Sequence, residues 1–177
     1  MEDPQPVYFI GISLPPELDR QIADLKWELH DTGKHLLKPV LPHVTLLHPP
    51  SLRGIMPDEL LPRIHEIAER YLPMTLSLEE IGFFGESICY IRVQSLALIS
   101  LQSQLVKLLP PPVRALHYRR EYSPHITLAQ VYEPLKLDVE RLKRELPGRL
   151  KLPQKITIDS VACFMRILPR EYRAEAI

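Results

Sequence analysis

The chain has 177 residues, of which 45% are apolar and 25% charged, and its 22 Lys and Arg residues are balanced by 22 Asp and Glu residues. This length predicts a single domain, and this composition excludes disorder caused by low hydrophobicity. The zero net charge disfavours a protein that coats long nucleic acid or a membrane surface, but it leaves a small anionic ligand or the end of a polymer open.

The elements predicted from hydrophobic periodicity alternate between strands and helices. Proline occurs 19 times and glycine only 6 times, and many of the prolines lie where elements should begin or end. A proline is tolerated in the first turn of a helix and is costly inside one, so these prolines mark boundaries. In chain order we predict a strand at 7–12, a helix from 15 to 29, a strand at 39–47, a helix from 57 to 71, strands at 74–78, 81–84 and 88–93, a helix from 98 that ends at the triple proline 110–112, a strand at 122–132, a helix at 138–146, and a closing strand or hairpin at 155–167.

Cysteine content and the N-terminus indicate the compartment. Cys89 and Cys163 are too few for a disulfide framework or a Cys-rich metal site, and each lies in an apolar stretch typical of a strand. Residues 1–4 lack the apolar core of a secretory signal, and no apolar run reaches the roughly 18 residues of a membrane span. We therefore expect a cytoplasmic protein without membrane attachment, with both cysteines buried and reduced.

One short pattern occurs twice in the chain. Pro42-His43-Val44-Thr45-Leu46 matches Pro124-His125-Ile126-Thr127-Leu128. An internal repeat divides the chain into two halves, and the alternation of strands with helices predicts an α+β fold.

Strand geometry assigns the repeated residues to two faces. Alternate side chains of a strand share a face, so His43 projects together with Thr45, and His125 together with Thr127. The apolar residues between them fasten each strand to a core. If the halves are related by a pseudo-two-fold, the two imidazoles and the two hydroxyls line one cleft.

This set of side chains suits phosphodiester chemistry. Imidazole titrates near pH 6.5, so a neutral and a protonated histidine can coexist near neutrality. The neutral ring can take a proton from water, and the protonated ring can give one to the leaving oxygen. The threonine hydroxyls can donate to the non-bridging phosphate oxygens. No metal or other cofactor is required.

The paired His-x-Thr strands, their spacing and their flanks resemble the two-histidine (2H) phosphoesterase superfamily. Within it, the chain is similar to the bacterial and archaeal RNA 2′,3′-cyclic phosphodiesterases, also called 2′-5′ RNA ligases. The resemblance covers essentially the whole chain. It implies one domain over residues 1–177, a bilobal duplicated α/β sandwich with a central cleft lined by the two His-x-Thr strands, and a monomer. It also implies metal-independent opening of RNA 2′,3′-cyclic phosphate ends to 2′-phosphomonoesters, together with reversible 2′-5′ ligation.

The resemblance assigns roles to the four motif residues. Thr45 and Thr127 would bind the phosphate, His43 would be the general acid toward the leaving 3′ oxygen, and His125 would be the base. Nothing in the sequence fixes which histidine is acid and which is base. Many relatives have an arginine five residues after the second histidine, where this chain has Gln130, so the substrate preference stays open.

A basic segment precedes the second motif. Residues 107–120 contain no acidic side chain, and we expect Arg119 and Arg120 to guide an RNA end toward the cleft and Tyr122 to stack on a base. The alternative for this segment is a solvated loop, with the tyrosine packed in the core. Phe83, Phe84 and Tyr90 are interpreted as the core of a hairpin.

Two other functions fit the same cleft. The first is a binding module for a nucleotide or an RNA end without turnover, which the absence of arginine at position 130 favours. The second is a phosphodiesterase for another cyclic nucleotide, a 2′-5′ linkage or ADP-ribose cyclic phosphate. In every case the expected partner is an RNA terminus or a cyclic nucleotide.

Overall fold

The described strands of this protein join edge to edge in one antiparallel sheet. The computed structural model describes residues 7–33, 36–48, 52, 57–117, 121–168 and 171–177. Within these residues the sheet has eight strands, which are β1 (Tyr8–Ser13), β2 (His43–Leu47), β3 (Met74–Phe84), β4 (Ile88–Gln94), β5 (His125–Gln130), β6 (Lys155–Ile158), β7 (Ala162–Leu168) and β8 (Glu171–Ala176).

The helices lie between the strands in sequence. The described residues contain α1 (Pro16–Thr32), α2 (Pro57–Ala68), α3 (Leu96–Val106), α4 (Pro111–His117), α5 (Val139–Glu145) and a 3-10 turn at Leu146–Gly148. The mixture of helices with an antiparallel sheet confirms the predicted α+β class. In the part of the chain that is described, none of these helices combines the length and apolarity that crossing a membrane would require.

The two strands that carry the repeated motif lie side by side at the centre of the sheet. The strand order is β6-β3-β4-β5-β2-β1-β7-β8, so four strands lie on each side of the β5–β2 junction. Each motif strand is the last strand of a similar unit, in which it runs antiparallel to the first strand and a helix lies between them. These units are β1-α1-β2 and β4-α3-β5, and the second contains the additional helix α4 before β5. The sequence repeat is therefore a repeat of a strand–helix–strand unit.

The two units also share an irregularity. The pairing of β1 with β2 shifts register between Ile10 and Gly11, and the pairing of β4 with β5 shifts between Cys89 and Tyr90. Gly11 lies opposite Thr45 and Tyr90 lies opposite Thr127, so the two shifts occupy the same place in both units. Such bulges bend a strand and change where its side chains point. In each unit the extra residue lies on the motif strand, immediately after the motif threonine: Leu46 in β2 and Leu128 in β5.

The apolar residues of the motifs belong to one core. Val44 and Ile126 are fully buried and share a cluster with one face of α1 and one face of α3. The helical spacing of the buried leucines and isoleucine in α1, as predicted, produces that face. Cys89 and Cys163 are also buried and form no disulfide, as predicted.

Both motif strands are shorter than predicted, and for the same reason. We predicted strands at 39–47 and 122–132, but β2 begins at His43 and β5 at His125. Pro42 and Pro124 immediately precede these residues and have no backbone N–H for a ladder hydrogen bond. Each histidine is therefore the first residue of its strand.

The triple proline was interpreted only as a helix stop, and this was incomplete. α4 begins at Pro111, because proline suits the first turn of a helix. Arg114 in α4 donates hydrogen bonds to the carbonyl oxygens of Lys107 and Leu109, which follow the end of α3. The basic segment is thus helical in part, and Arg114 binds backbone there.

The closing segment also differs from the prediction. Residues 155–167 contain two strands, but they do not form a hairpin with each other. β6 pairs with β3 at one edge of the sheet, whereas β7 pairs with β1 on the other side of the centre. β8, which was not predicted, pairs with β7.

Gly11 is required where β1 passes β2. A Cβ atom at Gly11 would lie 2.8 Å from the Val44 carbonyl oxygen and 3.2 Å from the Phe164 ring. We expect Gly11→Ala to lower the free energy of unfolding by about 1–3 kcal/mol, because the β2 backbone must shift. Denaturant unfolding measures this change. Gly148→Ala is the matched control, since its Cβ meets nothing within 4 Å; an equal loss in both variants would contradict the close approach.

Candidate active site

The four repeated polar residues meet at the centre of the sheet. Val44 of β2 pairs with Ile126 of β5 in antiparallel register. Directly opposite residues of an antiparallel pair point to the same face. Counting one residue outward from this pair places each motif's histidine opposite the other motif's threonine, which are His43 with Thr127 and His125 with Thr45.

Equivalent hydrogen bonds to the backbone hold the two imidazoles. Nδ1 of His43 donates to the Leu41 carbonyl oxygen at 2.6 Å, and Nδ1 of His125 donates to the Ser123 carbonyl oxygen at 2.8 Å. A carbonyl oxygen can only accept, so Nδ1 carries the proton in each neutral ring and Nε2 is the unprotonated atom. Each histidine therefore presents Nε2 as its proton-transfer atom.

Stacked aromatic rings support His43. The Phe9 and Phe164 rings are stacked with centroids 4.6 Å apart, and the His43 ring lies 4.5 Å from the first and 5.0 Å from the second. The rings hold the imidazole in place and remove much of its surface from water.

A second aromatic pair supports His125. Phe84 and Tyr90 stack at 4.2 Å, and their centroids lie 5.0 Å and 5.3 Å from the His125 ring. The interpretation of these residues as hairpin core was therefore incomplete: Tyr90 is buried, but Phe84 is exposed and both contact the histidine. Gly82, opposite Tyr90, leaves space for the tyrosine ring, because a Cβ there would lie within 2.7 Å of it.

The surroundings lower the basicity of both histidines. Burial is the largest cause for His43 and lowers its pKa to about 4, and the nearby charges of Lys26 and His125 act in the same direction. Burial also lowers the pKa of His125, opposed by the hydrogen bond to Ser123. Without a bound anion, the neutral form of His43 is strongly favoured at neutral pH.

A cavity of about 680 Å³ opens beside the motifs. His43, Thr45, Thr127 and Gln130 contribute to its wall. The other side comes from α1 and the segment 36–40, which is fixed to β5 by a hydrogen bond from the Leu37 N–H to the Gln130 carbonyl oxygen at 2.8 Å. The residues that line the cavity include lysines and histidines but no carboxylate.

Lys26 is a lining residue that the sequence analysis missed. It lies on the buried face of α1, where it is 5% exposed, and burial lowers its pKa to about 8. Its position four residues after Ile22 and three before Leu29 puts it on the apolar face that the periodicity predicted. A charged residue on such a face was the available signal.

Arg92 is a second cation that was missed. It pairs with His125 across β4 and β5, so the two side chains share a face. Ser13 occupies the equivalent place opposite His43. Arg92 is exposed and forms no ion pair with any described residue. Its register could not be read from the sequence.

The remaining predicted residues have different placements. The Tyr122 hydroxyl donates a hydrogen bond to the Thr45 carbonyl oxygen at 2.8 Å. This bond connects the residues that precede β5 with strand β2. Arg119 and Arg120 lie outside the described residues. Among the described side chains, no group of three or more His, Cys, Asp or Glu residues is arranged to hold a metal ion.

Comparisons with known proteins agree on this fold. The family model of the 2′-5′ RNA ligase superfamily matches residues 14–167. TT0787 of Thermus thermophilus has a similar structure, with a TM-score of 0.63 and 17% identity over 97% of this chain and 94% of its own.

LigT of E. coli in its apo form gives a TM-score of 0.59 at 18% identity, over 98% of this chain and 96% of its own. LigT complexed with 3′-AMP gives 0.57 at 16% identity over the same shares of the two chains. A search of curated proteins found no significant match.

The lowered pKa of His43 predicts that the folded protein is less stable at acidic pH. A histidine with a pKa of about 4 in the folded state and 6.5 unfolded binds fewer protons when folded between these values. The free energy of unfolding is therefore unaffected by this group above pH 6.5. As the pH falls from 6.5 to about 4, the group lowers the free energy of unfolding by at most about 3 kcal/mol. We expect His43→Gln to reduce the decline in unfolding free energy over this range, measured by urea unfolding at several pH values.

The control is the exposed His65 on α2. His65→Gln removes an imidazole at an exposed position, and the effect of His43→Gln is compared with it. If the two variants show the same pH dependence of the unfolding free energy, His43 is not desolvated as described.

Proposed function

This chain belongs to the 2′-5′ RNA ligase superfamily, and we propose that it opens RNA 2′,3′-cyclic phosphate ends to 2′-phosphomonoesters without a metal. One observation carries the proposal: two identically hydrogen-bonded histidines, each opposite the other motif's threonine, on one face of the sheet. This arrangement offers two proton-transfer groups and two hydroxyl donors around one phosphate.

The reaction needs one base and one acid. We assign His43 as the base, because its pKa is lowered to about 4 by burial and by the Lys26 charge. Nε2 of His43 takes a proton from water while the water oxygen attacks phosphorus. The bond from phosphorus to the 3′ oxygen breaks, and protonated His125 gives that oxygen its proton. This is the reverse of the assignment that the family resemblance implied.

The threonines and the phosphate charge complete the arrangement. The hydroxyls of Thr45 and Thr127 donate to the non-bridging oxygens and hold phosphorus between the two histidines. The negative substrate favours the protonated form of His125. With a 5′-hydroxyl in place of water, the same transfers form a 2′-5′ phosphodiester, which accounts for ligation by the same site.

Nucleotide binding by similar proteins supports this substrate class. Structures of E. coli LigT, whose fold this chain shares, are described as complexes with 3′-AMP and with phosphate. The lining of the cavity by basic side chains without a carboxylate suits the same kind of ligand.

The decisive assay uses a short RNA that ends in a 2′,3′-cyclic phosphate, with EDTA present. We expect His43→Ala and His125→Ala each to lose about 10²–10⁴-fold in rate, because each removes one proton transfer. The product should be a 2′-phosphomonoester. His65→Ala, at an exposed histidine of α2, is the matched control and should retain full activity.

Three outcomes would change the conclusion. Retained activity in both active-site variants would reject the site. Saturable binding of the RNA end without product would favour the binding module. Conversion of another cyclic nucleotide or of a 2′-5′ linkage, with no conversion of RNA ends, would favour the other phosphodiesterases.

Arg92 supplies a cation that Gln130 cannot. Because Arg92 lies directly opposite His125, we expect its guanidinium to reach a phosphate held there. We expect Arg92→Gln to lower kcat/KM by about 10–100-fold, the value of a hydrogen bond to a charged group, and Gln130→Arg to restore part of this loss. Arg63→Gln, on the exposed side of α2, is the control. Unchanged kinetics in Arg92→Gln would exclude this role.

A further inference from the structure

Lys26 lines the wall of the cavity, and the reaction at the cyclic phosphate uses it only through the effect of its charge on His43. It is buried on α1, and its ammonium forms no hydrogen bond or ion pair with the described residues. Asp19, two turns earlier on the same helix, acts on it only as a nearby charge. A buried charge without a partner is costly to keep, so this position suits an anionic ligand.

Other residues that line the cavity are also basic. They are Lys38, His30 and His48. The Lys38 ammonium lies 5.8 Å from the centroid of the Trp27 ring, and His30 contacts Asp31 at 3.1 Å. These two groups therefore already have partners, whereas the Lys26 ammonium is available to a ligand.

The position of Lys26 relative to the histidines limits what it can bind. Its charge acts on His43, and both residues line one cavity with Thr45 and Thr127. The volume of about 680 Å³ lies within the range of pockets that enclose a nucleotide-sized ligand. An anion bound at Lys26 would therefore share the cavity with the reacting phosphate.

We propose that Lys26 binds a second phosphate of the substrate, so that the preferred substrate is a 2′,3′-cyclic phosphate nucleotide that carries another phosphate on its 5′ side. This inference rests on the proposed function. The second phosphate is either a 5′-monoester or the next phosphodiester of an RNA chain, and the chemistry at Lys26 is the same in both.

Three substrates distinguish these sources. They are uridine 2′,3′-cyclic phosphate, its 5′-phosphorylated form, and the dinucleotide UpU with a terminal 2′,3′-cyclic phosphate. We expect Lys26→Met, which keeps the apolar stem, to raise KM about 10–100-fold for whichever substrates place a phosphate at Lys26. The KM for uridine 2′,3′-cyclic phosphate should change less than about 3-fold, because it has no second phosphate.

Suitable variants separate binding from structure. Lys26→Arg should keep most of the affinity for the second phosphate, since it keeps the charge. Lys143→Met, at an exposed lysine of α5, is the matched control for loss of a charge. An equal loss for all three substrates in Lys26→Met would overturn the proposal, because Lys26 would then act on the fold or on His43 alone.

A binding experiment tests the subsite independently of turnover. By calorimetry, uridine 2′,5′-bisphosphate should bind the wild type at least about 10-fold more tightly than uridine 2′-monophosphate, and Lys26→Met should remove the difference. Equal affinities in the wild type would overturn the second-phosphate site even if cyclic phosphates are hydrolysed. If the difference is present but no cyclic phosphate is converted, the proposed function fails and the subsite stands.

Discussion

The contact on which the site depends is the pairing of Val44 with Ile126. It joins the two strand–helix–strand units and fixes their register, and a shift by one residue would turn every motif side chain to the opposite face. Because both residues are fully buried, the hydrophobic core maintains the register that the chemistry requires. The apolar residue between each histidine and threonine is thus part of the site although it touches no substrate.

The two halves of the site are similar in geometry but different in electrostatics. Each histidine has the same backbone hydrogen bond and a stacked aromatic pair. The difference comes from neighbouring cations: Lys26 acts on His43, whereas Arg92 lies beside His125. Two copies of one motif can therefore take different roles in proton transfer because the surrounding residues differ, which a symmetric pair of identical sites would not allow.

Much of the fold was predictable, because the relevant signals are local. The apolar face of α1, the hairpin of β3 and β4, and the strands that hold His43 and His125 all follow from periodicity, turn residues and prolines. The pairing of β6 and β7 with distant strands depends on long-range contacts that no local pattern encodes. For the same reason the sequence identified the motif residues but gave no indication that Arg92 lies opposite His125. Lys26 could have been identified from the sequence, since it is a charged residue on the predicted apolar face of a helix.

The course of the C-terminal strands has a consequence for how the molecule is made. The aromatic pair that supports His43 includes Phe164 of β7. This late strand pairs with β1, the first strand of the sheet. The first motif is synthesised more than a hundred residues before this support. The nascent N-terminal half therefore exposes β1 as an unpaired edge, and the complete site can form only after β7 has been synthesised.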